Sequence, residues 1–128
     1  MAVVHLTSIS GLAQTIEART HRLTADEPAS NGGTDTGPAP YELLLAGLAA
    51  CTSLTLRMYA DRKSWQLGRI DVKAHFGRDK DGNESIQREI SFGETLSDEQ
   101  RQRLADICEK TPVTKTLKRG TPITTKLL

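Results

Sequence analysis

The sequence predicts an α+β fold in which small antiparallel sheets surround one long helix, in the order β-β-α-β-β-α-β. Three observations support this prediction. Residues 41–61 combine good helix formers with apolar side chains on nearly every side of a helix. Residues 69–76 and 84–92 alternate polar and apolar side chains around a short turn. A second, amphipathic helix is predicted to begin after Ser97.

The N-terminal third is predicted to hold a hairpin followed by a long loop. Residues 3–8 and 12–23 are rich in β-branched side chains and alternate loosely around Gly11, which is typical of paired strands. Residues 26–40 hold three of the ten glycines and three of the five prolines, a composition that excludes helix and strand. Because too few residues precede the loop to form a domain, we interpret the loop as a functional segment that lines part of a single domain, residues 1–128.

The predicted central helix is apolar all round. Its apolar positions are Leu43, Leu44, Leu45, Leu48 and the run Ala49-Ala50-Cys51. Such a helix must be covered on every side, and a chain of 128 residues has few strands for that purpose. The sequence therefore predicts an obligate homodimer, with the long helices packed between sheets from both subunits.

The second half is predicted to hold a hairpin, a helix and a terminal strand. Asp81-Gly82-Asn83 forms the turn of the hairpin, and one face of its first strand carries Ile70, Val72, Ala74 and Phe76. Ser97 is predicted to cap the second helix, with Gln100 completing a capping box. That helix is expected to run to about Lys110, because Thr111-Pro112 disfavours its continuation. The threonine-rich residues 114–127 are predicted to form an edge strand, since Pro122 cannot donate to a central ladder.

Composition and charge exclude several classes of function. Seventeen basic and sixteen acidic residues give a net charge of +1, and only five side chains are aromatic. A nucleic-acid-binding surface normally needs a basic stripe, and single-strand binders also need stacking aromatics, so no such partner is predicted. Leu43–Cys51 is the longest apolar run and falls far short of the about 20 residues of a membrane span. The first five residues lack the pattern of a signal peptide, which predicts a cytoplasmic protein.

Two cysteines carry the candidate chemistry, one on each predicted helix. Packing as small apolar side chains is the simplest interpretation of both Cys51 and Cys108, because free cysteine is among the most buried residue types. They could pair only if their Cα atoms lay within about 4.4–6.8 Å. Three histidines and these two cysteines show no metal-ligand spacing, so no metal and no other cofactor is predicted.

A reactive thiol at Cys51 needs a nearby cation to ionise. Arg19 and Arg22 are candidates from the predicted hairpin, whereas Arg57 lies about 120° beyond one full turn of the same helix and faces elsewhere. Glu42 could orient such an arginine. Two explanations are open for Glu42: either the helix begins after it, or it serves the site of another chain.

The chain resembles the OsmC/Ohr family of osmotically inducible and organic-hydroperoxide-resistance proteins over nearly its whole length. The motifs that carry the resemblance are Asp26-Glu27-Pro28, Gly32-Gly33, Gly37-Pro38, Pro40–Ala46, Ala49–Thr52, Thr55–Ala60 and Thr111-Pro112-Val113. The segment from Pro40 to Cys51 is specific to that family, and the glycine loop alone is not.

The resemblance implies an OsmC-like fold, an intertwined homodimer and a peroxidase site at the subunit interface. It makes Cys51 the peroxidatic cysteine, with Cys108 as the candidate second cysteine, and it implies that an arginine and a glutamate support the thiolate. Glu42 is the candidate glutamate, and Arg19 is the candidate arginine by position, followed by Arg22. An external dithiol, typically a lipoylated protein, restores such an enzyme. Two positions depart from the family pattern. Thr111 stands where the second cysteine usually precedes Pro-Val, and Tyr41 separates Pro40 from Glu42.

Three hypotheses of function follow. The first is a thiol-dependent peroxidase for organic hydroperoxides that uses Cys51 and Cys108. The second is a peroxidase in which Cys51 acts alone and an external thiol resolves it. The third is a non-catalytic OsmC-like stress or small-molecule-binding protein, in which both cysteines are structural.

Overall fold

The computed structural model describes the whole chain, Met1–Leu128, and confirms an α+β fold with small antiparallel sheets. The chain divides into two compact units, Met1–Leu44 and Leu45–Leu128. The elements are β1 (His5–Thr7), β2 (Gln14–Ala18), β3 (His21–Ala25), α1 (Pro40–Lys63), β4 (Ile70–Arg78), β5 (Glu84–Phe92), α2 (Asp98–Cys108) and α3 (Pro112–Arg119). The order is thus β-β-β-α-β-β-α-α, in which a third strand precedes α1 and a third helix stands where the predicted order ends in a strand.

The first unit holds a three-stranded antiparallel sheet in the order β1-β2-β3. The predicted hairpin around Gly11 is present as β1 and β2, but residues 12–23 do not form one strand. The chain reverses between Ala18 and His21, which pair with each other, and Arg19 takes a left-handed φ of 56° at this turn. Left-handed backbone is uncommon outside glycine, so the composition of this segment gave no turn signal.

The loop after β3 is organised around the carboxylate of Asp26, which is 2% exposed. This carboxylate accepts hydrogen bonds of 2.7–3.3 Å from the N–H groups of Glu27, Thr34 and Thr36 and from both threonine hydroxyls. These donors hold the pKa of Asp26 well below its usual range. The loop contains one turn of 3₁₀ helix, Ala29–Asn31, and is otherwise irregular, as predicted. Asp26 thus gives a long loop a fixed internal structure.

Helix α1 is buried along one side only. Its buried residues are Leu48, Thr52, Leu56 and Ala60, which recur every four positions. Leu54 and Met58 are 63% and 64% exposed, so a single chain does not cover the helix on every side. The reason is that Leu56 and Ala60 reach the core of the second unit from one direction, where they pack with Leu67, Leu104 and Cys108.

Strands β4 and β5 form the predicted antiparallel hairpin, with pairs running from Ile70↔Phe92 to Arg78↔Glu84. The predicted inward face of β4 is confirmed, because Ile70, Val72, Ala74 and Phe76 are half-buried while the residues between them are mostly exposed. Ile70, Ile90 and Phe92 pack against the core cluster. The hairpin therefore forms one wall of the second unit.

The capping box of α2 is confirmed: the Ser97 hydroxyl accepts from the Gln100 N–H, and the Gln100 side chain accepts from the Ser97 N–H. The helix ends at Cys108, two residues before the predicted end at Lys110. The predicted edge strand over residues 114–127 is wrong, since Pro112–Arg119 forms α3 and residues 120–128 have no regular structure. Pro112 both stops α2 and begins α3, because the fixed φ of proline suits the first position of a helix.

Candidate active site around Cys51 and Cys108

Cys51 is a free, half-buried thiol in the middle of α1. It precedes Thr52, one of the buried residues of the helix, and so lies about 100° around the helix from that buried line. This angle places Cys51 near the side of α1 that carries the exposed Leu54 and Met58. Cys51 therefore borders the uncovered apolar side of α1 and does not belong to the core cluster.

Cys108 is the last residue of α2 and is 8% exposed. It belongs to the core cluster, in which Leu56 and Leu104 are also buried. Burial raises the pKa of the Cys108 thiol, Arg88 partly opposes that rise, and Glu109 adds to it. Cys108 lines a cavity of about 140 Å³. The other residues that line this cavity are Ile90, Phe92, Arg101, Leu104 and Ala105. Both cysteines are free thiols in this structure.

Arg88 links the surroundings of the two cysteines, and the sequence did not reveal it. Its side chain is 12% exposed. One terminal nitrogen, Nη1, donates to the hydroxyl oxygens of Thr52 and Thr114, both at 2.9 Å. The other, Nη2, donates to the backbone carbonyl of Cys108 at 3.1 Å. The guanidinium therefore joins α1 beside Cys51, the end of α2 and the start of α3.

One sequence signal could have found Arg88. The half-buried positions of β5 are Ile86, Arg88, Ile90 and Phe92, so a single charged residue interrupts an apolar face. Its neighbour across the hairpin is the small Ala74. A lone arginine on an apolar face opposite a small residue indicates an internal polar partner, because an unpaired buried charge is too costly to retain.

The other predicted site residues lie in the first unit. Glu42 is in the first turn of α1, where its carboxylate accepts from the Ala39 N–H at 2.9 Å. The helix therefore does not begin after Glu42, which removes one of the two explanations for that residue. Arg19 is exposed in the β2–β3 turn, and Arg22 pairs with Glu17 at 3.0 Å on the surface. Neither arginine belongs to the unit that contains Cys51.

Arg57, the third arginine considered, is engaged elsewhere. Its Nη2 donates to the Gly68 carbonyl at 2.7 Å, which holds the segment between α1 and β4. No group of three or more histidine, cysteine, aspartate or glutamate side chains in the structure could hold a metal ion. The second unit thus combines two free thiols with the largely buried guanidinium of Arg88.

Residues 33–126 match the family model described as OsmC-like protein. The chain belongs to the OsmC-like family. Its fold is similar to that of an OsmC-like protein from Mycoplasma pneumoniae, with a TM-score of 0.75 and 22% identity over 92% of this chain and 87% of that chain. No curated protein matches the chain by sequence.

Two further structures similar to this OsmC-like chain are named for hydroperoxide resistance. One is the organic hydroperoxide resistance protein OsmC from Legionella pneumophila, with a TM-score of 0.70 and 17% identity over 92% of this chain and 89% of that one. The other is the organic hydroperoxide resistance protein OhrB of Bacillus subtilis, with a TM-score of 0.61 and 24% identity over 91% and 90% of the two chains. At these sequence identities the structural similarity is evidence for a shared fold only.

The same comparisons bear on α1. This helix is long and apolar enough to cross a membrane by length and composition alone, a test that the core helix of a soluble protein also passes. The family match runs from residue 33 to residue 126 and therefore includes the whole of α1. Helix α1 thus belongs to the part of the chain that has an OsmC-like fold.

Proposed function

We propose that this OsmC-like protein is a thiol-dependent peroxidase that reduces organic hydroperoxides, with Cys51 as the attacking thiolate. The observation that carries the proposal is the placement of Cys51, a free and half-buried thiol on the border of an exposed apolar surface. A hydrocarbon substituent can pack on such a surface while its peroxide group meets the thiol. Membership of a family with hydroperoxide-resistance proteins among its structural neighbours supports the same chemistry.

The first step forms a sulfur–oxygen bond. The Cys51 thiolate attacks one peroxide oxygen, the O–O bond breaks, and the alkoxide leaves as an alcohol after taking a proton. Cys51 becomes a sulfenic acid, and the hydroperoxide is reduced by two electrons. Attack requires the thiolate, because the neutral thiol is a poor nucleophile.

In the second step, Cys108 condenses with the sulfenic acid at Cys51 to form a disulfide and release water. An external dithiol then reduces the disulfide by thiol–disulfide exchange, and a lipoylated protein is the proposed donor. No bound cofactor takes part. Such a cycle requires a reducing compartment, in keeping with a cytoplasmic protein.

We propose a homodimer as the active form. The exposed Leu54 and Met58 leave an apolar side of α1 without cover, and a second copy of the chain would bury it. In this dimer Arg19 stabilises the Cys51 thiolate and Glu42 orients the arginine through a charge-assisted hydrogen bond. The carboxylate of Glu42 is exposed and bonds only its own helix start, so it retains acceptor capacity for a guanidinium.

A second candidate is a cycle in which Cys51 acts alone. The observation in its favour is the burial of Cys108, which raises the pKa of that thiol and so disfavours the thiolate needed for attack. An external thiol would then resolve the sulfenic acid directly.

The decisive experiment treats reduced protein with one equivalent of cumene hydroperoxide and follows intact mass and free thiols. Wild type is compared with Cys51→Ser and Cys108→Ser. Loss of two thiols and about two mass units in wild type alone supports the two-cysteine cycle, because a disulfide removes two hydrogens. A stable sulfenic acid at Cys51 supports the single-cysteine cycle. Unchanged thiols in wild type refute both and leave a non-catalytic OsmC-like protein.

A further inference from the structure

Arg88 is a buried charge held almost entirely by neutral oxygens. Its three hydrogen bonds go to two hydroxyls and a carbonyl. The nearest carboxylate, that of Glu109, is 3.8 Å away, is 58% exposed and is also paired with Lys118. Burying a guanidinium without a close carboxylate is costly, so stability alone would favour an apolar residue at this position of β5.

The partners of Arg88 lie beside both cysteines. Thr52 follows Cys51 directly and is fully buried, and Cys108 is bound through its own carbonyl. Because Nη1 and Nη2 belong to one planar group, the Thr52 hydroxyl oxygen and the Cys108 carbonyl oxygen lie within about 8 Å of each other. A single side chain thus ties the part of α1 that carries Cys51 to the end of α2 that carries Cys108.

The third partner fixes the turn between α2 and α3. Thr114 lies in the first turn of α3, and its hydroxyl shares a 2.6 Å hydrogen bond with the hydroxyl of the fully buried Thr111. The last carbonyls of a helix have no partners within that helix, so the end of α2 depends on outside donors for its position. Arg88 is such a donor, through its hydrogen bond to the Cys108 carbonyl.

We propose that Arg88 is a positioning residue for the second step, holding Cys108 beside the segment of α1 that carries Cys51 so that the two sulfur atoms can join. This inference rests on the proposed function. The sulfur of Cys108 attacks the sulfur of the Cys51 sulfenic acid, the S–S bond forms and the S–O bond breaks. Hydroxide leaves and takes the proton of the Cys108 thiol to become water. The hydroperoxide has already accepted the two electrons, so this step needs no further oxidant.

The test separates the two steps in time. Reduced wild type, Arg88→Met, Arg88→Lys and Thr114→Val are mixed with cumene hydroperoxide, quenched at intervals and measured by intact mass. Oxidation of Cys51 is expected within about twofold of wild type in all three variants, because no hydrogen bond from Arg88 reaches that thiol. Disulfide formation is expected to slow at least about tenfold in Arg88→Met, the effect of losing hydrogen bonds to a charged group, and less in the other two. Arg69→Met, which removes an exposed arginine of the same unit, is the control with unchanged rates.

A pH profile distinguishes positioning from a general loosening of the fold. In a Cys51→Ser background, alkylation of Cys108 by iodoacetamide is followed against pH. Arg88→Met is expected to move the midpoint to higher pH, because the positive charge that favours the thiolate is gone, while Arg88→Lys stays closer to wild type. Faster alkylation at every pH with no change of midpoint would reveal a merely structural role.

Two outcomes would overturn the inference and leave the proposed function standing. The first is disulfide formation at the wild-type rate in Arg88→Met. The second is a wild-type sulfenic acid at Cys51 that never becomes a disulfide, which leaves the single-cysteine cycle. A Cys51 thiol that no hydroperoxide oxidises in any of these proteins refutes the proposed function itself.

Discussion

Replacing Thr52 by valine should remove one anchor of the buried guanidinium while keeping the shape of the side chain. The Thr52 hydroxyl accepts from Arg88 Nη1 at 2.9 Å and donates to the Leu48 carbonyl at 2.7 Å, and the residue is fully buried. Loss of a hydrogen bond to a charged group costs about 1.5–3 kcal/mol. Because Arg88 keeps Thr114 and the Cys108 carbonyl, we expect a loss near the lower half of that range, about 2 kcal/mol.

Thr55→Val is the matched control on the same helix. Its hydroxyl donates only to the Cys51 carbonyl, at 2.7 Å, and meets no charge. Bonds of this kind to the preceding turn contribute little to helix stability, so the free energy of unfolding should change by no more than about 0.5 kcal/mol. The two variants therefore make the same chemical change at positions that differ in the contact with Arg88 and in burial, since Thr52 is fully buried and Thr55 is half-buried.

The assay is urea unfolding followed by circular dichroism at one protein concentration, with the thiols kept reduced. The midpoint temperature of Thr52→Val should also fall by about 6–10 °C, given the usual relation for a chain of this size. A double-mutant cycle with Arg88→Met isolates the pairwise contribution. The reasoning would be contradicted if Thr52→Val and Thr55→Val lowered the free energy of unfolding equally. It would also be contradicted if Thr52→Val lowered that free energy by the same amount in wild type and in Arg88→Met.

Three further predictions concern the first unit and α1. Gly37→Ala should destabilise the protein, because a Cβ atom there would lie 2.2 Å from the Thr24 carbonyl oxygen; thermal unfolding measures the loss. Asp26→Asn should destabilise the protein most at pH 7 and somewhat less at pH 3, where the unfolded chain binds a proton at this carboxyl but the folded protein still keeps it ionised. The folded pKa of Asp26 is lowered, so its contribution is present above the ordinary aspartate pKa of about 4 and declines as the pH falls below it. Leu54→Asp should leave the stability of a single chain nearly unchanged, since Leu54 is 63% exposed, but should dissociate the proposed homodimer in sedimentation equilibrium.

Each of these has an outcome that contradicts it. The Gly37→Ala prediction is contradicted by a thermal unfolding midpoint equal to that of Ser30→Ala, which replaces an exposed residue of the same loop. For Asp26→Asn it is a difference from wild type that stays constant between pH 7 and pH 3. For Leu54→Asp it is an oligomeric state equal to wild type, and a wild type that sediments as a single chain refutes the homodimer directly.

Local signals in the sequence identified most of the second unit. The Ser97–Gln100 capping box, the β4–β5 hairpin and the long α1 each depend on neighbouring residues, so they could be read from spacing alone. Helix α3 after Pro112 was missed because threonine-rich segments favour strands. The burial of Thr114 and its hydrogen bond to Arg88 override this strand propensity.

The residues of the candidate site also fall into those that the sequence identified and those that only the structure revealed. The family motif identified Cys51, Cys108 was considered as the only other cysteine, and both are free thiols in the second unit. Arg88 was missed because its role depends on residues 36 and 26 positions away in sequence, Thr52 and Thr114. Glu42 and Arg19 remain predictions, since both belong to the first unit and their role is assigned to the proposed dimer.

By itself the sequence determined the fold class, the long helix with its apolar surface, and the OsmC-like family, because periodicity and motifs are properties of neighbouring residues. Only the tertiary structure decided which side of that helix is buried, and therefore that Cys51 borders the uncovered side while Cys108 faces the core. It alone revealed Arg88 between them. The physical reason is that burial and the partners of a buried charge depend on residues distant in the chain, which an apolar pattern of period 3.6 does not specify.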